Sequence, residues 1–144
     1  MRLEYRLDDD AADYPALWHY PDLTVSEVVC RMTCEFFIKD AQTYKVTLTT
    51  KDAKGDIIIY LNKEAFEDEP SQKYFDYIGL EFREMLEGGM QRVIESRDLF
   101  VHDDALAILH CDSIFIKGKE FHLDSREIDE DRKCYVYYGT YDNK

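Results

Sequence analysis

Residues 72–93, QKYFDYIGLEFREMLEGGMQRV, decide whether the middle of this 144-residue chain is helical or belongs to a sheet. Phe75, Ile78, Phe82, Met85, Leu86 and Val93 follow a spacing near 3.6, which predicts a helix over Gln72–Glu87. Gly88 and Gly89 interrupt it, since each Gly costs a helix interior roughly 1 kcal/mol relative to Ala. A break and a short second piece then follow. A strand through Leu80 and Phe82 is the competing reading. Between them, residues 72–96 read as one helix, as two, or as partly strand.

Upstream the patterns are simpler. Tyr44, Val46 and Leu48 alternate with Lys45, Thr47 and Thr49, as in a half-buried strand. KDAKGD follows as turn chemistry, with Gly55 available for a positive φ angle. Ile57–Leu61 is continuously apolar and completes a β-hairpin. The acidic stretch Glu64–Glu69 and Pro70 separate it from the ambiguous segment.

Before the hairpin, Thr24 and Glu27 make a capping box, and Leu23 with Val28 occupy staple positions. Glu27, Arg31, Glu35 and Lys39 recur every four residues as one charged stripe of a helix. Val25, Val28, Val29, Met32 and Phe36 fill the remaining arc, with Cys30, Cys34 and Phe37 beside them. So wide an apolar arc predicts deep packing on a sheet. Ahead of it, Leu3, Tyr5 and Leu7 mark a first strand, followed by the acidic cluster Asp8, Asp9, Asp10 and Asp13. YPALWHYP, bracketed by Pro15 and Pro21, reads as an irregular, anchored segment.

Downstream, Leu99–Val101 reads as a short strand, and Asp104–His110 as either a helical turn or an apolar strand. IFIKGKEFHL is a hairpin with Lys117-Gly118 as its two-residue turn, setting Ile114 opposite Phe121. Cys134–Tyr138 is the last strand. The architecture expected is α+β: a mixed or antiparallel sheet of about five to seven strands with two main helices packed on it. No repeat or linker divides residues 1–144, so one globular domain is expected. Strand order is not legible.

Composition narrows the function classes. With 45% hydrophobic and 14% aromatic residues, and only 6 Gly and 3 Pro, the chain is built to fold. No apolar run reaches transmembrane length. The first ten residues, MRLEYRLDDD, lack the apolar core of an export signal, and four cysteines are too few for a disulfide scaffold. A cytoplasmic location with reduced thiols is the expectation. Against 18 Lys+Arg stand 31 Asp+Glu, a net charge of −13 with no basic run, which argues against direct nucleic-acid binding and against an anionic membrane surface. The acidic residues fall largely in the connections at Asp8–Asp13, Glu64–Glu69 and Asp129–Asp131, which reads as solvated turns around an apolar core.

No motif carries a mechanism. Cys30 and Cys34 share a helix face and, with His110, Cys111 and Cys134, could be drawn as a zinc site; burial as small apolar groups is the favoured reading. Cys111 or Cys134 could in principle pair with His102, His110 or His122 as a nucleophile; beside Cys111 stand His110 and Asp112, and an adjacent carboxylate works against a lowered thiol pKa. DSREIDEDRK has no EF-hand ligand alternation, and no phosphate-cradling loop or nucleophile elbow occurs. No catalytic, cofactor-binding or metal residue is therefore assigned. Tyr135, Tyr137, Tyr138 and Tyr141 read as sheet packing rather than a binding surface. For Trp18, His19 and Tyr20 the two readings are balanced. The function expected is non-enzymatic: binding of a protein partner, or self-association. Two alternatives stand beside it, a small enzyme or metal-binding protein using Cys and His, and an acidic mimic of nucleic acid.

Overall fold

The computed structural model describes residues 1–65 and 73–141. Ten strands and two helices follow in the order β1 (Leu3–Leu7), β2 (Ala16–Tyr20), α1 (Val25–Thr33), β3 (Phe36–Lys39), β4 (Gln42–Lys51), β5 (Ile57–Glu64), β6 (Ile78–Met85), β7 (Gln91–Leu99), α2 (His102–Leu109), β8 (Ser113–Ile116), β9 (Lys119–Asp129) and β10 (Cys134–Tyr141). All ten strands join one sheet, in the order β2-β1-β5-β4-β3-β9-β10-β6-β7, with β8 also on β9. The sheet is mixed: β1 with β5, β3 with β9 and β10 with β6 run parallel, and the other pairs antiparallel.

The α+β class stands and there are two helices, but the second is α2 rather than the helix expected over 72–87, and the sheet is larger than five to seven strands. The largest difference lies at residues 78–99. Ile78, Leu80 and Phe82 form one buried face of a strand, and Gly79, Glu81 and Arg83 the other, also buried. Ile78, Leu80 and Phe82 thus keep the period of a strand, while Phe75, Ile78, Phe82 and Met85 also fit a spacing near 3.6, so the two periods coincide here. Gly88 and Gly89, at φ 73° and 77°, turn β6 back along β7. The helix expected over 72–87 is thus a strand through Leu80 and Phe82, longer than foreseen; Gln72 itself lies outside the described residues, as does most of the acidic stretch after Glu64.

Smaller differences follow from packing. The segment with Trp18 and Tyr20 is edge strand β2, and Trp18 meets the rings of Tyr5, Phe37 and Tyr44 at 6.5, 5.6 and 5.6 Å. Helix α1 stops at Thr33, because Phe36, Phe37 and Ile38 pair as a strand with β4 and β9. The supposed charged stripe is dispersed: Arg31 and Lys39 reach Glu130, while Glu35 binds Arg126. Val25 is 62% exposed and not part of the buried arc. Leu99 ends β7 rather than starting a strand, and the apolar run after Asp104 is helical.

The capping box holds: the Glu27 N–H donates to Thr24 Oγ1 at 3.2 Å. Both hairpins form, and Ile114 pairs with Phe121 across the Lys117-Gly118 turn.

One sheet face carries the main core. Leu80, Phe82, Tyr135, Tyr137, Phe37 and Ile128 lie there, together with Val28 and Cys30 of α1 and Ala105 and Leu109 of α2. On the opposite face Phe75, Cys134, Val136 and Tyr138 cluster. Gly79 is needed here, since a Cβ at this position would fall 2.2 Å from the Phe75 ring. Beside this cluster lies a charged layer. Glu81, Arg83, Glu127, Asp129 and Arg132 are all at most 3% exposed. Arg132 Nε donates to Asp129 Oδ2 at 2.9 Å and its two Nη atoms to the Glu81 carboxylate at 3.2 Å. Arg83 Nε donates to Glu81 Oε1 at 2.6 Å.

Burial alone would raise the Glu81 pKa, but hydrogen bonds from Arg132 and the Arg83 charge bring it below its ordinary 4.5. Glu130 is lowered in the same way, by the Arg31 charge and the Tyr20 hydroxyl. A carboxylate lowered on folding binds protons more readily when unfolded. Its stabilisation is therefore complete above its unfolded pKa and is lost as the pH falls through the folded one. Stability should decline as the pH drops below the ordinary carboxylate range. Arg132→Ala would strand the buried Asp129 carboxylate and leave Glu81 to Arg83 alone, and should lower the unfolding free energy by about 3–5 kcal/mol, read as a drop in the urea midpoint.

Candidate functional site

Several chemistry-bearing side chains of the described residues line one cleft of about 260 Å³. Helix α1 supplies Glu27 and Arg31, which are four apart and so share a face. His102 starts α2, Tyr135 comes from β10, Tyr77 precedes β6, and Glu130 and Lys133 lie in the β9–β10 turn.

Charge in the cleft is largely paired. Arg31 Nη2 donates to Glu130 Oε1 at 2.8 Å and Nη1 to the Tyr5 hydroxyl at 3.2 Å. The Tyr20 hydroxyl donates to Glu130 Oε2 at 2.5 Å, and the Lys39 ammonium lies 3.3 Å from the same oxygen. Burial works against the Arg31 charge, but Tyr5 and Glu130 more than compensate, so its pKa moves upward and it stays cationic.

The imidazole of His102 is held on one side only. Its Nδ1 lies 2.7 Å from the Tyr135 hydroxyl, while Nε2 is 3.9 Å from Glu27 Oε2. The Tyr77 ring crosses the imidazole at 6.3 Å, edge to face. Burial lowers the His102 pKa below 6.5, aided by Arg31 and opposed by Glu27 and Asp103. At neutral pH the ring is therefore uncharged. Burial also pushes the Tyr135 hydroxyl well above its usual range.

The cysteines do not supply a nucleophile here. Cys30 donates to the His102 carbonyl at 3.7 Å, and burial pushes its thiol up to about 11. Cys34 and Cys134 are raised too, again by burial. None of these three is a thiolate at neutral pH, and only the thiolate attacks or binds metal. Cys134 lines the same cleft as His102, yet its thiol points to the opposite sheet face and donates to the Tyr135 carbonyl at 3.2 Å.

The residues drawn as a zinc site do not meet. Cys30 and Cys34 lie in the main core, Cys134 in the second cluster, and Cys111 is exposed. His110 is engaged by the Leu106 carbonyl and Thr33, and His122 lies 3.5 Å from Glu120. Among the described residues, no group of three or more His, Cys, Asp or Glu side chains could hold a metal ion. No helix of the described residues is long and apolar enough to cross a membrane, which leaves strands aside.

Outside the cleft mouth stand aromatic groups that the sequence reading did not single out. Ile78 pairs with Leu99, so Tyr77 and Phe100 occupy the next positions beyond the last pair of β6 and β7. Tyr77 is 62% and Phe100 89% exposed, and Val101 is exposed beside them. The available signal was local: Phe100 and Val101 are apolar, follow a charged strand and directly precede an acidic helix start. Tyr135, Tyr137 and Tyr138, by contrast, are buried in the sheet.

Comparison with known proteins finds no matching family model, no matching curated protein and no matching solved structure.

With Cys30, Cys34 and Cys134 buried and Cys111 exposed, a thiol-specific reagent should label the native protein at one fast site. Cys111→Ser should abolish that fast phase. Rapid labelling of a second thiol would contradict this placement of the cysteines.

Proposed function

We propose that the protein is a non-enzymatic binding domain, and that its docking site is the aromatic rim of the cleft. The observation that carries this reading is the exposure of Tyr77, which lines the cleft, and of Phe100, each at the position next beyond the last β6–β7 pair. Aromatic residues at this degree of exposure leave a large apolar area in water, and such residues anchor protein interfaces. The cleft beneath is lined by both polar and apolar groups, as a socket for a partner side chain would be.

The charges around the rim favour a basic partner. Asp76, Asp98, Asp103 and Asp104 are exposed next to Tyr77 and Phe100 in sequence, and Glu27 faces the cleft. Lys133 opposes them, with its ammonium donating to the Asp76 carbonyl at 3.4 Å. The neutral His102 adds no positive charge. A Lys or Arg side chain offered by a partner would meet carboxylates and aromatic faces together, as cation–π contacts require.

Selection of a random displayed peptide library against the protein tests this. Peptides pairing a basic with an apolar residue should be enriched, and binding should weaken with added salt. Phe100→Ala and Tyr77→Ala should each weaken it about tenfold, the scale of a substantial interface contact. Peptide binding that both substitutions leave unchanged would refute the assignment of this surface.

A further inference from the structure

A second surface of opposite character lies at the far end of the same strand. A groove of about 490 Å³ opens between β7 and the β8–β9 turn. Val93, Ile94 and Tyr141 give it apolar walls, and Arg92, Lys117 and Lys119 line it with positive charge. Arg92 is paired with Glu84. Lys117 and Lys119 make no ion pair among the described residues, and the Lys119 ammonium sits 5.9 Å from the Tyr141 ring centre. In a chain of net charge −13, three cations line this groove and, among the described residues, its lining includes no carboxylate, Glu84 lying beside it on Arg92.

Resting on the docking surface proposed above, we infer that its partner is a second copy of this chain, bound head to tail: the Phe100 rim of one copy enters the basic groove of the next. The two surfaces complement each other in both respects that matter. One projects exposed aromatic and aliphatic groups surrounded by Asp76, Asp98, Asp103 and Asp104; the other is concave, apolar-walled and cationic. Buried apolar contact supplies the attraction, and opposite charges set the register.

Geometry fixes the mode of assembly. Phe100 follows the last residue of β7, and Arg92 to Ile94 lie near its beginning. A strand rises about 3.3 Å per residue, so the two surfaces are roughly 20–27 Å apart on one rigid element. No chain can fill its own groove. The contact is therefore heterologous, and it propagates into open chains unless the rotation between copies closes a ring.

Sedimentation velocity over a wide concentration range tests the inference with the full chain, alongside far-UV circular dichroism to confirm folding of each variant. The wild type should exceed monomer mass as concentration rises, and high salt should return it to monomer. Phe100→Asp removes the projecting rim, and the double variant Lys117→Glu with Lys119→Glu reverses the groove. Each variant alone should remain a monomer. Their equimolar mixture should form a dimer and stop there, because only one intact rim and one intact groove remain. That complementation is specific to a head-to-tail contact; a symmetric rim-to-rim dimer would not give it. Failure of the mixture to dimerise overturns the inference, as does assembly that persists in either variant alone. A wild type that stays monomeric while Phe100-dependent peptide binding survives overturns self-association alone. Loss of that peptide binding as well removes the docking surface itself.

Discussion

The structure depends on Asp129, the last residue of β9, and the four-residue turn from Glu130 to Lys133 that leads into β10, in which every side chain is committed to a neighbour. Asp129 holds Arg132, and Arg132 reaches across to Glu81 of β6 and to the Lys73 carbonyl. Glu130 gathers Arg31 of α1, Tyr20 of β2 and Lys39 of β3. The Asp131 carboxylate accepts from the Asp40 and Ala41 N–H groups at 2.8 Å each, where both residues have positive φ in the β3–β4 turn. The backbone contributes as well: the Arg132 and Lys133 carbonyls accept from the Phe75 and Gly79 N–H groups, and the Glu130 N–H donates to Ile38. Elements distant in sequence are thus indexed to one point. Buried ion pairs add little net stability compared with apolar packing, but losing one partner is expensive, so the turn tolerates little change.

The same turn builds the cleft. Glu130 neutralises Arg31 at the cleft wall, which frees the interior from a lone buried charge, while burial holds the His102 pKa below its ordinary value beside it. Tyr135, two residues after the turn, holds the imidazole and fixes the start of α2. Because α2 begins there, Phe100 and Val101 must leave β7 and cross open surface to reach it. Their exposure follows from the path of the chain: β7 ends opposite Ile78, and the helix cannot start until His102 meets Tyr135.

Local signals were legible wherever one interaction decided the structure. Thr24 and Glu27 cap α1, Gly55 turns the β4–β5 hairpin, and Lys117-Gly118 sets the register of β8 on β9. Signals failed where tertiary burial reversed the meaning of polarity. Glu81 and Arg83 are charged residues between apolar ones, yet both are fully buried and paired to each other. Asp129 and Glu130 looked like part of a solvated acidic connection, and both are held by arginines inside the fold. No periodicity distinguishes a carboxylate facing water from one facing a guanidinium, whether that comes from three residues on, as for Asp129 and Arg132, or from 99 away, as for Glu130 and Arg31. The cleft was illegible for the same reason: its groups come from α1, α2, β10 and a turn, and each one alone has an ordinary local explanation.

This redistribution changes what the net charge means. If the acidic residues simply coated the connections, −13 would describe a uniformly repelling surface that disfavours contact between copies. Instead several of the acids are consumed internally by Arg31, Arg83, Arg126 and Arg132, and those cations are withdrawn from the surface with them. What faces solvent is then set by local groups: carboxylates around Phe100, and Lys117 and Lys119 around the groove. With a Debye length of about 8 Å at physiological salt, a docking surface senses those neighbours and little of the total. A strongly acidic chain can therefore present a cationic groove, and attraction between unlike patches can act at contact while the overall charge still opposes indiscriminate association.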